Sequence, residues 1–366
     1  MPLFMDLHHV EQVKPVEVAE AHLLDLKIQQ HYNCNAMTYW MDQSRGKVFC
    51  LIEAPDRESV IKLHSDSHGL VPHDIIEVDE SLVQGFLGRL NDPTVFEMRN
   101  GAKVFEDSAY RFLLVVHLEP QVLMENRTDK ETALNTYNEF HRLFSEIAHG
   151  TGGTIAPGSS EYKVISFKHP KCAVHAAELL GDRIGNFSEN VTYRIVLHGG
   201  EPVEGSRLMF GSSIEAAENL YYYNGDSCLI ASNLFLDEAG GDDLKSVLEE
   251  MNFCFPDISE EKFFHKLMKC IREHIDDPEF TVQELSLMMY MSTSKLYRRC
   301  KQLSGLSPNN LIRDIRLEFA RRKLESCEDN IASVLFGHGF NSPSYFTKCF
   351  HSRFGISPRA YKNALV

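Results

Sequence analysis

Seven histidines fall within the first 73 residues: His8, His9, His22, His31, His64, His68 and His73. His64 and His68 are four apart, so on a helix they share one face, the spacing at which two imidazoles can grip one metal ion. Asp6 and His8 alternate onto one side of a strand, and Cys50 comes from a neighbouring strand on which Glu53 points the other way. Imidazole and thiolate donors favour nickel, zinc or copper over magnesium. A lone histidine pair of this spacing is as often only a surface pair. His8, Cys50, His64 and His68 therefore stand as candidate metal ligands from chemistry and position.

A second kind of chemistry sits at the other end. Gly305-Leu306-Ser307-Pro308 returns as Gly355-Ile356-Ser357-Pro358, and the same offset pairs Ser294 with Ser344, Leu296 with Phe346, Arg298 with Lys348 and Lys301 with His351. Each copy reads as two helices with a tight corner. In the first, Thr281 and Glu284 form a capping box, and a second helix runs to about Leu303 with Leu296, Cys300 and Leu303 on one side. Ser294, Arg298, Lys301 and Gln302 then fall on the opposite side. In the second, Asn330 caps, Gly337 and Gly339 turn, and Ser342-Pro343 starts a helix that buries Phe346 and Phe350. That helix shows Ser344, Lys348, His351 and Ser352 to solvent. A polar and basic helix face fits a DNA major groove, where Arg or Lys reaches guanine acceptors. One such face is more often a solvated surface, but two matching copies favour DNA. Leu311, Ile312, Ile315 and Phe319 mark a helix between them that would hold the two at about one DNA turn, roughly 34 Å.

Charge divides the same way. Residues 261–366 carry 17 Lys and Arg against 11 Asp and Glu, whereas the rest carries 20 against 41, a split hidden in the net −15. A basic module on an acidic body is the footprint of phosphate contact.

The elements that must position these groups fall into an α+β multidomain chain. In residues 1–90, Pro2 to His9 reads as a strand, Pro15 to His31 as a helix with Val18, Leu23, Leu26 and Ile28 inward, and Cys34 to Ala54 as a hairpin. Asp56 to His68 is a helix and Asp74 to Val78 a strand, giving a ferredoxin-like βαββαβ order with one sheet face bare. Residues 101–236 alternate strands and helices and predict a helix-backed sheet. Residues 237–260, with Gly240-Gly241-Asp242-Asp243, read as a flexible acidic linker, and residues 261–366 as an all-α double helix-turn-helix domain. No apolar run approaches 18 residues and no basic-then-apolar leader opens the chain, so a soluble cytoplasmic protein without a membrane partner is expected. Nine scattered cysteines without CxxC pairs predict reduced thiols.

Three resemblances add to this reading. Residues from about Phe263 to Tyr361, above all Gly337-His338-Gly339-Phe340-Asn341-Ser342-Pro343 and Phe354-Gly355-Ile356-Ser357-Pro358, resemble the DNA-binding domain of the AraC/XylS transcription regulators. The resemblance implies base contacts from Ser294, Tyr297, Arg298, Ser344 and Lys348, phosphate contacts from Arg299, Lys301 and His351, and a DNA-facing place for Lys295 and Tyr345. Met5-Asp6-Leu7-His8, Ala19-Glu20-Ala21-His22, Tyr39-Trp40-Met41-Asp42, Val48 to Pro55 and His64 to Gly69 are similar to small ferredoxin-like nickel-binding proteins. Those pair through their sheets, which implies a homodimer.

Gly152-Gly153, Phe167, Ala176-Ala177, Arg194-Ile195, Leu197-His198, Phe210-Gly211, Ile214, Ala217 and Leu220 resemble a class III nucleotidyl cyclase domain. Its two metal carboxylates are replaced by His117 and Ser159, and its Asn and Arg by Glu215 and Asn219, which implies a degenerate, non-catalytic scaffold. The sequence thus predicts a DNA-binding transcription regulator, not an enzyme, with no catalytic cofactor. Its signal is a transition metal such as nickel or zinc, its partners double-stranded promoter DNA and RNA polymerase. The alternatives are a metal-dependent nucleotide-processing enzyme tethered to DNA and a metal-buffering protein.

Overall fold

The computed structural model describes residues 1–94, 97–158, 162–184, 192–203, 208–223, 229–240, 242–325 and 330–365. Ser159 of the cyclase comparison lies outside them. Two sheets and a helical end account for the architecture.

The first unit is β1 (Leu3–His9), α1 (Pro15–Ile28), β2 (Asn35–Asp42), β3 (Lys47–Glu53), α2 (Arg57–Ser67), β4 (Asp74–Val78) and α3 (Glu80–Leu87). Its antiparallel sheet runs β2-β3-β1-β4, the ferredoxin-like arrangement. Alternation along β1 sends Phe4, Asp6 and His8 toward α1 and α2, and Met5 and Leu7 to the other face. The sequence expectation for α1 needs correction. Its buried stripe is Val18, Ala19, His22 and Asp25, while Leu26 is 36% exposed, because the helix turns a polar pair inward toward the histidines of α2.

The second unit is β5 (Arg111–Leu118), α4 (Gln121–Glu125), α5 (Lys130–Gly150), β6 (Thr154–Ala156), β7 (Tyr162–Phe167), α6 (Pro170–Ile184), β8 (Tyr193–Gly200), α7 (Gly211–Leu220) and β9 (Leu229–Ala231). Its order β6-β7-β5-β8-β9 repeats the first sheet's topology with one parallel strand added. All eight residues of β5 are buried. Phe112, Leu114 and Val116 share a core with residues of α5 and α6, and Leu113 and Val115 belong to the same buried core as Met5, Leu7, Phe49 and Leu51 of the first sheet. One core thus takes in residues of both ferredoxin-like sheets, and the bare face read from the sequence, with Met5, Leu7, Phe49 and Leu51, is buried within the chain. Buried Arg111 fixes the joint by donating to the Phe86 and Leu87 carbonyls at 3.0 and 3.1 Å, which also satisfies the end of α3. Lys47 and Glu201, and Arg89 and Asp107, pair across it.

The expected linker of residues 237–260 is largely helical among its described residues: it holds the end of α8 (Asn233–Ala239), then α9 (Asp242–Glu250) and the start of a helix from Ile258, with Phe253 between them 5% exposed. Leu244, Leu248 and Met251 recur at helical spacing and bury against the second unit, while Asp243, Glu249 and Glu250 face solvent. The acidic composition belongs to the outer face of an amphipathic helix.

The terminal unit is α10 (Ile258–Glu273), α11 (Val282–Met288), α12 (Thr293–Ser304), α13 (Pro308–Glu325), α14 (Ile331–Phe336), α15 (Pro343–Phe354) and α16 (Pro358–Ala364). Capping boxes open α10 and α11. The repeated Gly-x-Ser-Pro phrase is a helix stop and restart: Gly305 and Gly355 close α12 and α15 at φ +70° and +74°, and α13 and α16 begin at the prolines. No helix among the described residues is long and apolar enough to cross a membrane.

Candidate metal centre and nucleic-acid interface

Asp6, His8, Cys50 and His64 converge, with one ligand atom from each within 4.8 Å of the others and all four residues buried. Strand register causes this, since Asp6 sits directly opposite Cys50 and His8 lies two residues along the same face. His64 approaches from α2, its Nε2 2.9 Å from Asp6 Oδ2. The predicted ligand His68 belongs to a second group with Asp25, built around the other edge of the same imidazole. His64 Nδ1 is 3.0 Å from His68 Nε2 and 3.3 Å from Asp25 Oδ2. Sequence reasoning left Asp6 and Asp25 out of the ligand set. The Asp-x-His alternation of β1 and the i, i+3 step from His22 to Asp25 on α1 carried that signal.

Electrostatics in the metal-free fold follow from this packing. Burial alone would push His64 down, but the carboxylates of Asp6 and Asp25 more than offset it and raise it to about 10. Burial would push Asp6 up, yet His64 and His8 hold it well below the carboxylate range. Burial, with Asp6 and Asp25 nearby, pushes the Cys50 thiol far up. One carboxylate, two imidazoles and one sulfur gathered within 4.8 Å of one another are a donor set that suits a borderline divalent ion such as nickel or zinc. A cavity of about 100 Å³ beside the cluster, lined by Val10, Val18, Tyr39 and Leu70 among others, gives room for entry.

At the other end, Ser294, Lys295, Tyr297, Arg298 and Lys301 are exposed on α12, and Ser344, Tyr345, Lys348 and His351 are exposed on α15. Leu296, Cys300 and Leu303, like Phe346 and Phe350, hold the opposite faces down. Arg299, expected to meet phosphates, lies toward α10 in this fold. Five residues past Ser294, it turns toward α10, where its guanidinium lies 4.3 Å from the Phe263 ring and donates to the Ser259 carbonyl at 3.0 Å. Arg299 braces the helix. Lys301 Nζ donates to the Gly305 carbonyl at 2.9 Å, at the exposed end of α12.

The two helix-turn-helix units share α13. Leu311, Ile312 and Ile315 pack with α10 to α12, whereas Leu317, Ala320 and Leu324 pack with α14 to α16. Arg316, 8% exposed between these stripes, donates to the Gly339 carbonyl at 3.2 Å and to the Asp277 carbonyl, tying the corner of the second unit to the entrance of the first. Gly339 permits this approach, since at φ +68° an added Cβ would sit 2.6 Å from the Arg316 guanidinium carbon. Eighteen residues make α13 about 27 Å long.

The family described as nickel responsive protein SCO4226-like matches residues 4–78, and a helix-turn-helix domain family matches residues 285–364. Both lie outside residues 101–236. The solved structure of SCO4226 from Streptomyces coelicolor A3(2) is 30% identical over 21% of this chain and 94% of its own, with a TM-score of 0.20. The HTH-type transcriptional activator RhaS of Mannheimia succiniciproducens is 32% identical over 23% of this chain, and histidine kinase P4 of Formosa agariphila is 32% identical over 28%. This chain spans only 31% and 8% of those two proteins. Residues 4–78 are therefore a domain of the nickel-responsive SCO4226-like family, and residues 285–364 an AraC-type helix-turn-helix domain.

Proposed function

We propose that this chain is a sequence-specific DNA-binding transcription regulator whose first ferredoxin-like unit senses a transition metal, nickel or zinc. The observation that carries the reading is the tandem presentation of α12 and α15, each bare on its polar face and both fixed to one helix by two packed stripes and Arg316. Ser294, Tyr297, Arg298, Ser344 and Lys348 would read base edges, and Lys301 and His351 would meet phosphates. Lys295 and Tyr345 flank these faces.

In the sensor unit, Asp6, His8, Cys50 and His64 would hold the ion, and Asp25 and His68 would orient the shared imidazole. The bound ion would supply charge and fixed geometry rather than chemistry. Homodimerisation and contact with RNA polymerase, in a cytoplasmic setting, complete the proposal. A sheet-paired dimer has no free sheet face to use, so any homodimer would form through another surface.

Selection of bound duplexes from a random pool by the full chain, with and without nickel, tests the proposal. The expected product is a two-part motif with centres about 10 base pairs apart, enriched differently in the two conditions. A pool without sequence preference at physiological salt would overturn DNA recognition. A motif indifferent to metal would overturn the sensor role alone.

A further inference from the structure

The metal cluster and the reading helices leave the second unit without a role, yet it grips the terminal unit at two places. The first is α7 and the turn after it. Glu215 accepts from Arg272 of α10 at 2.7 Å, and Glu218 lies 3.3 Å from Arg322 of α13 and 3.7 Å from Arg272. Asn219 Nδ2 is 3.1 Å from His265 Nδ1, and the Tyr223 hydroxyl donates to Glu260 at 2.8 Å. Phe210, Leu220 and Tyr223 belong to the same buried core as Phe264 of α10 and Leu285 and Leu296 of the first helix-turn-helix.

The second place is α4. Leu123, 5% exposed, belongs to the buried core of the second helix-turn-helix with Phe346, Phe350 and Tyr361, and Val122 packs against that core. The backbones come close as well: a Cβ added at Gly355, which ends α15, would lie 2.6 Å from Nδ2 of Asn126, the residue that closes α4. Arg127 pairs with Glu119, which ties α4 to the end of β5, the central strand of the second sheet. Leu123 and Glu218 both line a cavity of about 140 Å³, so a gap and not a continuous seam joins the two anchors.

We propose that the second unit is a splint, whose α7 and α4 fix the two helix-turn-helix units relative to each other so that α12 and α15 meet one duplex at a set spacing. Arg316 and α13 join the two along one line, and bodies joined along one line keep a rocking freedom about it. A second body fixed to each removes that freedom. The reading side chains of α12 and α15 stay exposed, so the splint holds them from behind. Partly exposed ion pairs add little stability, and the anchor on α7 therefore acts on position. The consequence for DNA rests on the proposed reading of a two-part site, but the docking does not.

The full chain carrying Glu218→Arg or Leu123→Asp tests this. Glu218→Arg sets three cations together at the first anchor, and Leu123→Asp puts a charge into the second. Each should lower the ratio of two-part to half-site affinity on the order of tenfold, because rigid linkage is what multiplies the two half-site affinities. Arg322→Glu added to Glu218→Arg restores an opposite pair and should recover the ratio, which a change in net charge alone does not move. Since Leu123→Asp also disturbs the core of the second helix-turn-helix, Glu218→Arg and its rescue decide. Hydrogen exchange without DNA reads the docking itself, and amides of α10 and α13 should exchange faster in Glu218→Arg. Should the wild type select no motif, DNA reading fails and the exchange result alone decides the splint. The proposal is overturned if Glu218→Arg leaves the ratio unchanged, if Arg322→Glu does not restore it, or if exchange in the terminal unit is unmoved.

Discussion

Loading the N-terminal cluster with nickel must expel protons, because two of its ligands carry them in the metal-free fold. His64 is raised to about 10 by the carboxylates of Asp6 and Asp25, which outweigh its burial. At neutral pH it is therefore an imidazolium held between two anions. Cys50 is pushed far above its ordinary value by burial and by the same two carboxylates, so it is a thiol. A metal ion needs a neutral imidazole and a thiolate. Binding should then release about two protons, and the association constant should rise about 100-fold per pH unit between pH 6 and pH 8. Competition against a chelator of known affinity gives the slope. Calorimetry in two buffers of different protonation enthalpy counts the protons independently. Cys50→Ser should lower the slope toward one. A slope of one or less across this window would refute the proposed pair of proton-bearing ligands.

The metal-free protein should lose stability in alkali. A histidine whose folded value is raised contributes stability that is complete below its unfolded value, about 6.5, and is lost as pH rises through about 10. A melting temperature constant from pH 6 to pH 10 would contradict this. Arg298→Ala should cost about 1–3 kcal/mol and relax preference at one base position. An equal loss on random DNA would remove it from base reading. Lys301→Ala should weaken all sequences alike and flatten the salt dependence by about one ion, which a titration from low to high salt would read. Arg316→Met should destabilise the terminal unit by about 2–4 kcal/mol, seen in denaturant unfolding. It should also weaken a two-part site more than a half-site, and equal weakening would show that Arg316 does not set the spacing.

Much of this was legible in the sequence because local chemistry and tertiary packing agreed. Thr281 with Glu284, Asn330, Ser342-Pro343 and the doubled Gly-x-Ser-Pro are stop and start signals that act within one helical turn, and each lies where it was read. The first sheet was legible for the same reason, from period-two alternation and a hairpin at residues 44–46. Three features depend on long-range contacts that the local sequence does not show. The helix α9 was hidden because acidic outer residues are interleaved with Leu244, Leu248 and Met251, whose role shows only against the second unit. The inward turn of His22 and Asp25 is set by the imidazoles of α2, not by the hydrophobic pattern of α1. Arg299 is basic and near a recognition face, but the ring of Phe263, 36 residues earlier, captures it.

The pairing of the two sheets bears on how many chains one operator needs. An exposed apolar sheet face invites a second copy, and in a small protein that copy must be another chain. Here Met5, Leu7, Phe49 and Leu51 are buried in a core that also holds Leu113 and Val115 of the same chain, and Arg111 seals the joint with buried hydrogen bonds. The demand for a partner is met internally. The terminal unit already carries both proposed recognition helices on one brace, so under the proposed function a single chain would hold both reading heads that a two-part site requires. Neither the proposed sensing nor the proposed reading then requires dimerisation through the first sheet. Metal should change affinity for a single two-part site even where the protein is monomeric. The strand β1 gives the route its physical basis, since Asp6 and His8 on one face alternate with Met5 and Leu7 on the other. An ion that draws Asp6 and Cys50 together acts on the same backbone that carries the core contacts, and a close-packed core does not absorb such a shift without cost.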